Sequence, residues 1–112
     1  MSEPIRFKTE DGREFVLEFS RRTVKMAEEN GISLDNIENK MMSTIPDIFH
    51  YAFKMHQPWI SKEETDRILF EEFKGLTDDE LKRIVELYVE PYNTLINVTD
   101  GDEKNSRTVT FL

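Results

Sequence analysis

The chain has 112 residues, a hydrophobic content of 38% and a formal net charge of −8 at pH 7, which suits one soluble domain with a modest core. It contains no cysteine, so disulfides and thiolate chemistry are excluded, and a reducing cytoplasm is expected. The acidic balance argues against binding to nucleic acid or to anionic lipid. The start of the chain does not resemble a signal peptide, and no apolar run approaches the roughly 20 residues of a membrane span.

The first predicted element is a β-hairpin over residues 5–19, where apolar and polar residues alternate in two runs. A three-residue loop, Glu10-Asp11-Gly12, pairs Phe7 with Phe15 and places the large apolar side chains on one face. A two-residue loop would divide them between two faces. We therefore predict the longer loop, with Gly12 left-handed, and helices that cover the apolar face, because a two-stranded ribbon alone is marginal.

A short helix is predicted directly after the hairpin. Ser20 is a typical N-cap residue and Asn30-Gly31 a typical helix end, which leaves about two turns between them. Val24 and Ala27 can face the core from this helix. A short irregular or helical connection follows.

The central helix is predicted to begin after a Ser43 or Thr44 cap, with Pro46 in its first turn, and to end at Pro58. One stripe of residues at helical spacing defines its inward face: Ile45, Ile48, Phe49, Ala52, Phe53 and His56.

Two more helices complete the predicted bundle. Ser61 to Glu64 has the pattern of a capping box and opens a helix that stops at Gly75. Thr77 to Glu80 is a second capping box, and we expect Pro91 to kink or break the helix that follows it. The inward residues of the first are predicted to be Ile68, Leu69 and Phe73. Those of the second are Leu81, Ile84, Val85, Tyr88, Tyr92, Leu95 and Ile96.

These elements predict an α+β fold, in which the N-terminal β-hairpin packs on a small bundle of four to five α-helices. Residues 1–96 form the single domain. Residues 97–112 are predicted to be a flexible acidic C-terminal tail, and its last six residues are either a frayed end or an added strand.

No catalytic or metal-binding constellation is present in the sequence. His50 and His56 lie about 120° apart around a helix, so they cannot ligate one ion together. His56 falls on the apolar stripe, and we expect it to be a buried imidazole bonded to a carbonyl group. His50 is placed on the polar face beside Asp47. Without a phosphate-binding glycine loop or a nucleophile motif, we predict a protein that is not an enzyme and that needs no cofactor and no metal.

Several aromatic and apolar side chains fall outside the predicted core stripes. They are candidates for partner binding, because exposed aromatic residues are enriched at interfaces; packing against a neighbouring element is the alternative. These candidates are Tyr51, Trp59, Phe70, Val109, Phe111 and Leu112. Self-association is a further possibility that the sequence leaves open.

The order of motifs over residues 5–96 resembles the tail assembly chaperone-like proteins of siphophages and prophages of Gram-positive bacteria. The resemblance lies in the runs from Phe7 to Ile32 and from Ile45 to Ile60, and in the helix that carries Leu81 to Tyr88. It implies a non-enzymatic chaperone that binds the tape measure protein, the tail tube protein or both. It also implies a location in the host cell cytoplasm and absence from the mature virion.

An acidic phage or bacterial adaptor or inhibitor that acts by protein–protein binding is the alternative function. An inhibitor that imitates nucleic acid would need its carboxylates clustered on one face. Here the acidic residues alternate with lysine and arginine along the chain, which favours the chaperone.

Overall fold

A computed structural model describes residues 3–95, which form a two-stranded antiparallel hairpin followed by five α-helices. This is the predicted α+β fold. The strands are β1 (Ile5–Lys8) and β2 (Glu14–Leu17). The helices are α1 (Arg21–Glu29), α2 (Leu34–Asn39), α3 (Met41–Phe53), α4 (Lys62–Arg67) and α5 (Asp78–Val89). A π-helical segment (Ile68–Glu72) continues α4, and a 3-10 segment (Glu90–Thr94) continues α5. Within this part of the chain no helix is long and apolar enough to cross a membrane.

The hairpin has the predicted register, with Phe7 opposite Phe15 and Ile5 opposite Leu17. Gly12 has a φ of +87°, a value that glycine adopts without the steric cost of a side chain. Because side chains alternate between the faces of a strand, this pairing places the apolar groups of both strands on one side. Phe15 and Leu17 are buried there.

The hairpin packs on the bundle through a cluster of five phenylalanine rings. Phe7 lies 4.9 Å from Phe73 and 5.9 Å from Phe53, measured between ring centroids. Phe53 also contacts Phe15 at 5.4 Å and Phe49 at 5.1 Å, both edge to face. Tilted and edge-to-face contacts of this kind add to the free energy of burial. The ribbon is thus covered by α3 and the π-helical segment, as its apolar face requires.

The boundaries of α3 differ from the prediction at both ends. The helix begins at Met41, not after Ser43 or Thr44, and Pro46 lies inside it. Proline removes one N–H bond to the carbonyl four residues earlier, which here belongs to Met42, a residue that is 91% exposed. At the other end α3 stops at Phe53, before Pro58. The predicted stripe nevertheless holds through the helix itself, since Ile48, Phe49, Ala52 and Phe53 are fully buried.

Apart from α3, whose N-cap is Lys40 with no side-chain bond, the predicted helix caps form, with one change of partner. Ser20 caps α1, and Thr77 with Glu80 forms the complete capping box of α5. Ser61 accepts a bond from the backbone N–H of Glu64, but the carboxylate of Glu64 binds two arginines instead of the N-cap backbone. A long-range ion pair has replaced half of the local capping motif.

The end of α5 breaks near Pro91, as predicted, and continues as the 3-10 segment. The predicted inward face is wrong at two positions. Leu87 is buried, although the pattern did not include it, and Leu95 is 66% exposed. Ile96 and the predicted tail at 97–112 lie outside the described residues.

Candidate functional site

The two histidines have the opposite environments from those predicted. His50 is buried, and its Nδ1 lies 2.9 Å from the hydroxyl of Thr65, on α4. His56 is exposed, and its Nε2 lies 2.7 Å from a carboxylate oxygen of Glu18. The prediction failed because α3 ends at Phe53, so the helical spacing does not extend to position 56.

Burial lowers the pKa of His50 from its ordinary value of 6.5 to about 4. Lys54 and Lys62 lower it further, while Asp66 and Asp47 oppose the shift. The imidazole is therefore neutral near pH 7. Its hydrogen bond joins α3 to α4, which is a structural role.

The side chain of Gln57 makes the hydrogen bonds to β2 that a third strand would otherwise make. The sequence pattern did not indicate this residue. Its side-chain carbonyl accepts a bond from the N–H of Val16 at 3.0 Å, and its amide donates to the carbonyl of Val16 at 2.9 Å. The same amide group also donates to the carbonyl of Phe53. These bonds attach the open edge of β2 to the end of α3. Only the fold brings residues 41 positions apart together, and no local signal marks this glutamine.

Trp59 is presented on an ordered loop between α3 and α4. Its side chain is 69% exposed. The ammonium group of Lys54 donates to the carbonyl oxygens of Pro58 and Ile60, on either side of the tryptophan, and Ile60 is itself buried. A side chain held on a fixed loop loses less conformational freedom when it binds a partner.

Phe70 points away from the core within the π-helical segment. Its neighbours Ile68 and Leu69 are buried, whereas Phe70 is 57% exposed. The wide turn is closed by a bond from the N–H of Phe73 to the carbonyl of Ile68 at 2.9 Å. π-helical turns of this kind occur frequently at functional sites. Phe70 also lines a shallow cleft of about 430 Å³ with Ser61 and Arg67.

The side chain of Tyr51 is packed against the core and is only partly open to solvent. It is half-buried against the core, and its ring lies 5.3 Å from that of His50. Burial, and then the charge of Asp47, raises the pKa of its phenol. The other candidates, Val109, Phe111 and Leu112, lie outside the residues that the structure describes.

A charged cleft of about 460 Å³ lies between the hairpin loop and α4. Glu64 is bound by Arg13 of the hairpin and by Arg67, and Arg67 also pairs with Glu72 at 3.1 Å. The hydrogen bonds from Arg67 and Arg13 lower the pKa of Glu64 from 4.5 to about 2. The backbone N–H of Glu10 donates to Glu72 at 2.8 Å. The ion pair between Arg13 and Glu64 therefore holds the hairpin on the helices.

An apolar groove separates α2 and the start of α3 from the first turns of α5, with a volume of about 560 Å³. Sequence reasoning missed it because its two walls are distant in the chain. The exposed Met41-Met42 pair was the one local signal. Leu34 is 47% exposed and Met41 is 50% exposed. We call this surface the α2–α5 groove, and its lining residues are Leu34, Ile37, Glu38, Met41, Asp78, Leu81, Lys82, Val85 and Glu86.

No site for a metal ion is evident between residues 3 and 95, where no three histidine, aspartate or glutamate side chains converge. The surface features described above are two exposed aromatic side chains and the α2–α5 groove. Surfaces of this kind can bind another protein.

The family comparison covers nearly the whole chain. Residues 1–111 match the model of a domain of unknown function, DUF5055, so the chain belongs to that family. No curated protein and no solved structure is significantly similar to it.

Proposed function

We propose that this DUF5055 protein is a non-enzymatic chaperone of siphophage tail assembly, which binds the tape measure protein, the tail tube protein or both. It acts in the cytoplasm of the host cell and is absent from the mature virion. The assignment to tail assembly is drawn from the resemblance of the motifs over residues 5–96. The role in binding is supported by the surface of the folded domain.

The observation that carries the proposal is the exposure of large apolar side chains on ordered elements. Trp59 stands on a loop fixed by Lys54, and Phe70 is turned outward by the π-helical segment. Tryptophan is a preferred anchor residue at interfaces, and methionine adapts to varied apolar partners. Within residues 3–95, Leu34, Met41, Met55 and Leu95 are further exposed apolar residues.

The distribution of charge favours this proposal over an inhibitor that imitates nucleic acid. Acidic side chains lie beside basic ones: Glu64 and Glu72 pair with arginine, and Asp66 pairs with Lys62 at 2.8 Å. A phosphate mimic needs uncompensated carboxylates on one face. The net charge of −8 instead keeps a chaperone with exposed apolar groups in solution.

The test is co-expression with the tape measure protein encoded nearby, followed by pull-down and measurement of the soluble client. We expect the wild type to keep the client soluble and to retain it in about 1 M salt, where charge interactions are screened within about 3 Å. Trp59→Ala and a truncation after Asn97 should each reduce the amount bound. Met42→Ala is the control, since Met42 is also exposed but lies at the opposite end of α3 from the Trp59 loop.

Failure of the wild type to keep this client soluble would show that the chaperone proposal is wrong. If the wild type succeeds and both variants bind like Met42→Ala, the function stands and the assignment of Trp59, Val109, Phe111 and Leu112 to the interface is wrong.

A further inference from the structure

We infer that the α2–α5 groove binds an amphipathic helix that carries lysine or arginine beside its apolar stripe. The inference rests on the proposed function, in which the client is a helical tail protein, and it identifies a binding surface other than Trp59 and Phe70.

The walls of the groove have the geometry that receives a third helix. On α5 the lining residues run from Asp78 to Glu86 at spacings of three or four, which is one face of a helix. On the opposite wall Leu34 and Ile37 lie on α2, and Met41 follows in the first turn of α3, after the non-helical Lys40. The wall on α5 extends for about two helical turns, roughly 12 Å. A ridge of this length can contact side chains at i, i+3 or i+4, and i+7 of a helix laid along it.

The apolar floor of the groove is incompletely covered. Ile37 is buried, but Leu34 and Met41 remain about half exposed, and Leu81 and Val85 are only partly buried. A third helix would remove this apolar surface from water, which favours binding. Met41 can adjust its shape to the helix that binds.

Charge at the rim selects the chemistry of the partner. Glu38, Asp78 and Glu86 are exposed along the groove, and Lys82 is the single base in its lining. Basic residues that flank the apolar stripe of a helix would lie opposite these carboxylates. A second copy of this chain, with its net charge of −8, is disfavoured by like-charge repulsion. The occupant is therefore a basic amphipathic helix.

The experiment uses the full chain and a designed peptide of about 18 residues, long enough to form a helix. The peptide is rich in alanine, with leucine at i, i+3, i+4 and i+7 and lysine on both flanks. An acidic twin carries glutamate in place of each lysine. We expect the basic peptide to shift amide resonances along α2 and the first turns of α5, and to bind about tenfold more tightly than its acidic twin.

Two adjacent methionines provide matched variants. Met41 lines the groove, whereas Met42 is exposed outside it, and glutamine removes the apolar side chain at either position without adding a charge. Met41→Gln should weaken binding of the basic peptide by about tenfold, and Met42→Gln by less than about twofold. The double variant Glu38→Lys/Glu86→Lys should reverse the preference toward the acidic twin.

Equal binding of the two peptides, equal effects of the two methionine variants, or resonance shifts centred on Trp59 and Phe70 would each overturn the inference. The client pull-down separates it from the proposed function. If Met41→Gln holds the tape measure protein as well as Met42→Gln does, the groove is not the site, although the chaperone stands. If the wild type does not bind that client and still binds the basic peptide in the groove, the groove is a helix-binding site and the chaperone proposal is wrong.

Discussion

At the scale of single residues, Gln57 decides how the open edge of the hairpin is satisfied. An exposed strand edge leaves backbone donors and acceptors without partners. The side-chain amide of Gln57 has one donor group and one acceptor, and both are bonded to the backbone of Val16. Because Gln57 is buried, water cannot readily replace it.

Replacing Gln57 with methionine keeps the length of the side chain and removes its hydrogen bonds. The backbone groups of Val16 lose their partners, and we expect the free energy of unfolding to fall by about 1–3 kcal/mol. Urea denaturation measures this loss, with Met55→Ala as a control at an exposed neighbouring position. A loss below about 0.5 kcal/mol would mean that water satisfies the strand edge without Gln57.

At the scale of elements, α3 is the helix on which the other elements pack. Its inward residues contact the hairpin through Phe53 and the π-helical segment through Phe49. The apolar stripe predicted these contacts because helical periodicity is a local property of the chain. The ends of α3 were not predicted, because Pro46 lies inside the helix instead of in its first turn, and the helix stops at Phe53, before Pro58.

Phe49→Ala should lower the free energy of unfolding by about 3–5 kcal/mol, since it empties a fully buried position. Phe70→Ala is the same chemical change at an exposed position and should cost less than about 1 kcal/mol. Urea denaturation of the two variants gives the comparison. A loss below about 1 kcal/mol for Phe49→Ala would contradict its central place in the core.

At the scale of the whole molecule, two buried or bridged groups make stability depend on pH. His50 has a folded-state pKa of about 4, below its ordinary value of 6.5. As the pH falls below 6.5, the imidazole of His50 becomes protonated in the unfolded chain but stays neutral in the folded chain. The free energy of unfolding therefore falls until about pH 4. Glu64 adds a second loss at lower pH, as the pH falls from 4.5 toward its folded-state value of about 2. Stability should therefore decline in two stages from pH 6.5 downward.

His50→Gln removes the first stage and can keep a hydrogen bond to Thr65. We expect the wild type to lose up to about 3 kcal/mol between pH 6.5 and pH 4, and the variant to lose much less over that interval. His56→Gln, which leaves His50 in place, should retain the loss. Urea denaturation at successive pH values tests this. A decline in His50→Gln as steep as in the wild type would assign it to other groups.

The sequence by itself determined the features that depend on neighbours in the chain. The alternation of apolar residues and the left-handed Gly12 specified the hairpin register, and hydroxyl side chains at Ser20 and Thr77 specified helix starts. These signals are local because a strand repeats every two residues and a cap acts within one turn.

Only the tertiary structure decided which distant groups meet. In the folded chain Gln57 is bonded to Val16, and Glu64 binds Arg13 instead of completing its capping box. His50 is buried against Thr65, whereas His56 is exposed. The tertiary structure also formed the α2–α5 groove by placing α5 beside α2 and the start of α3. Such contacts depend on the relative positions of packed elements, and no local periodicity records those positions.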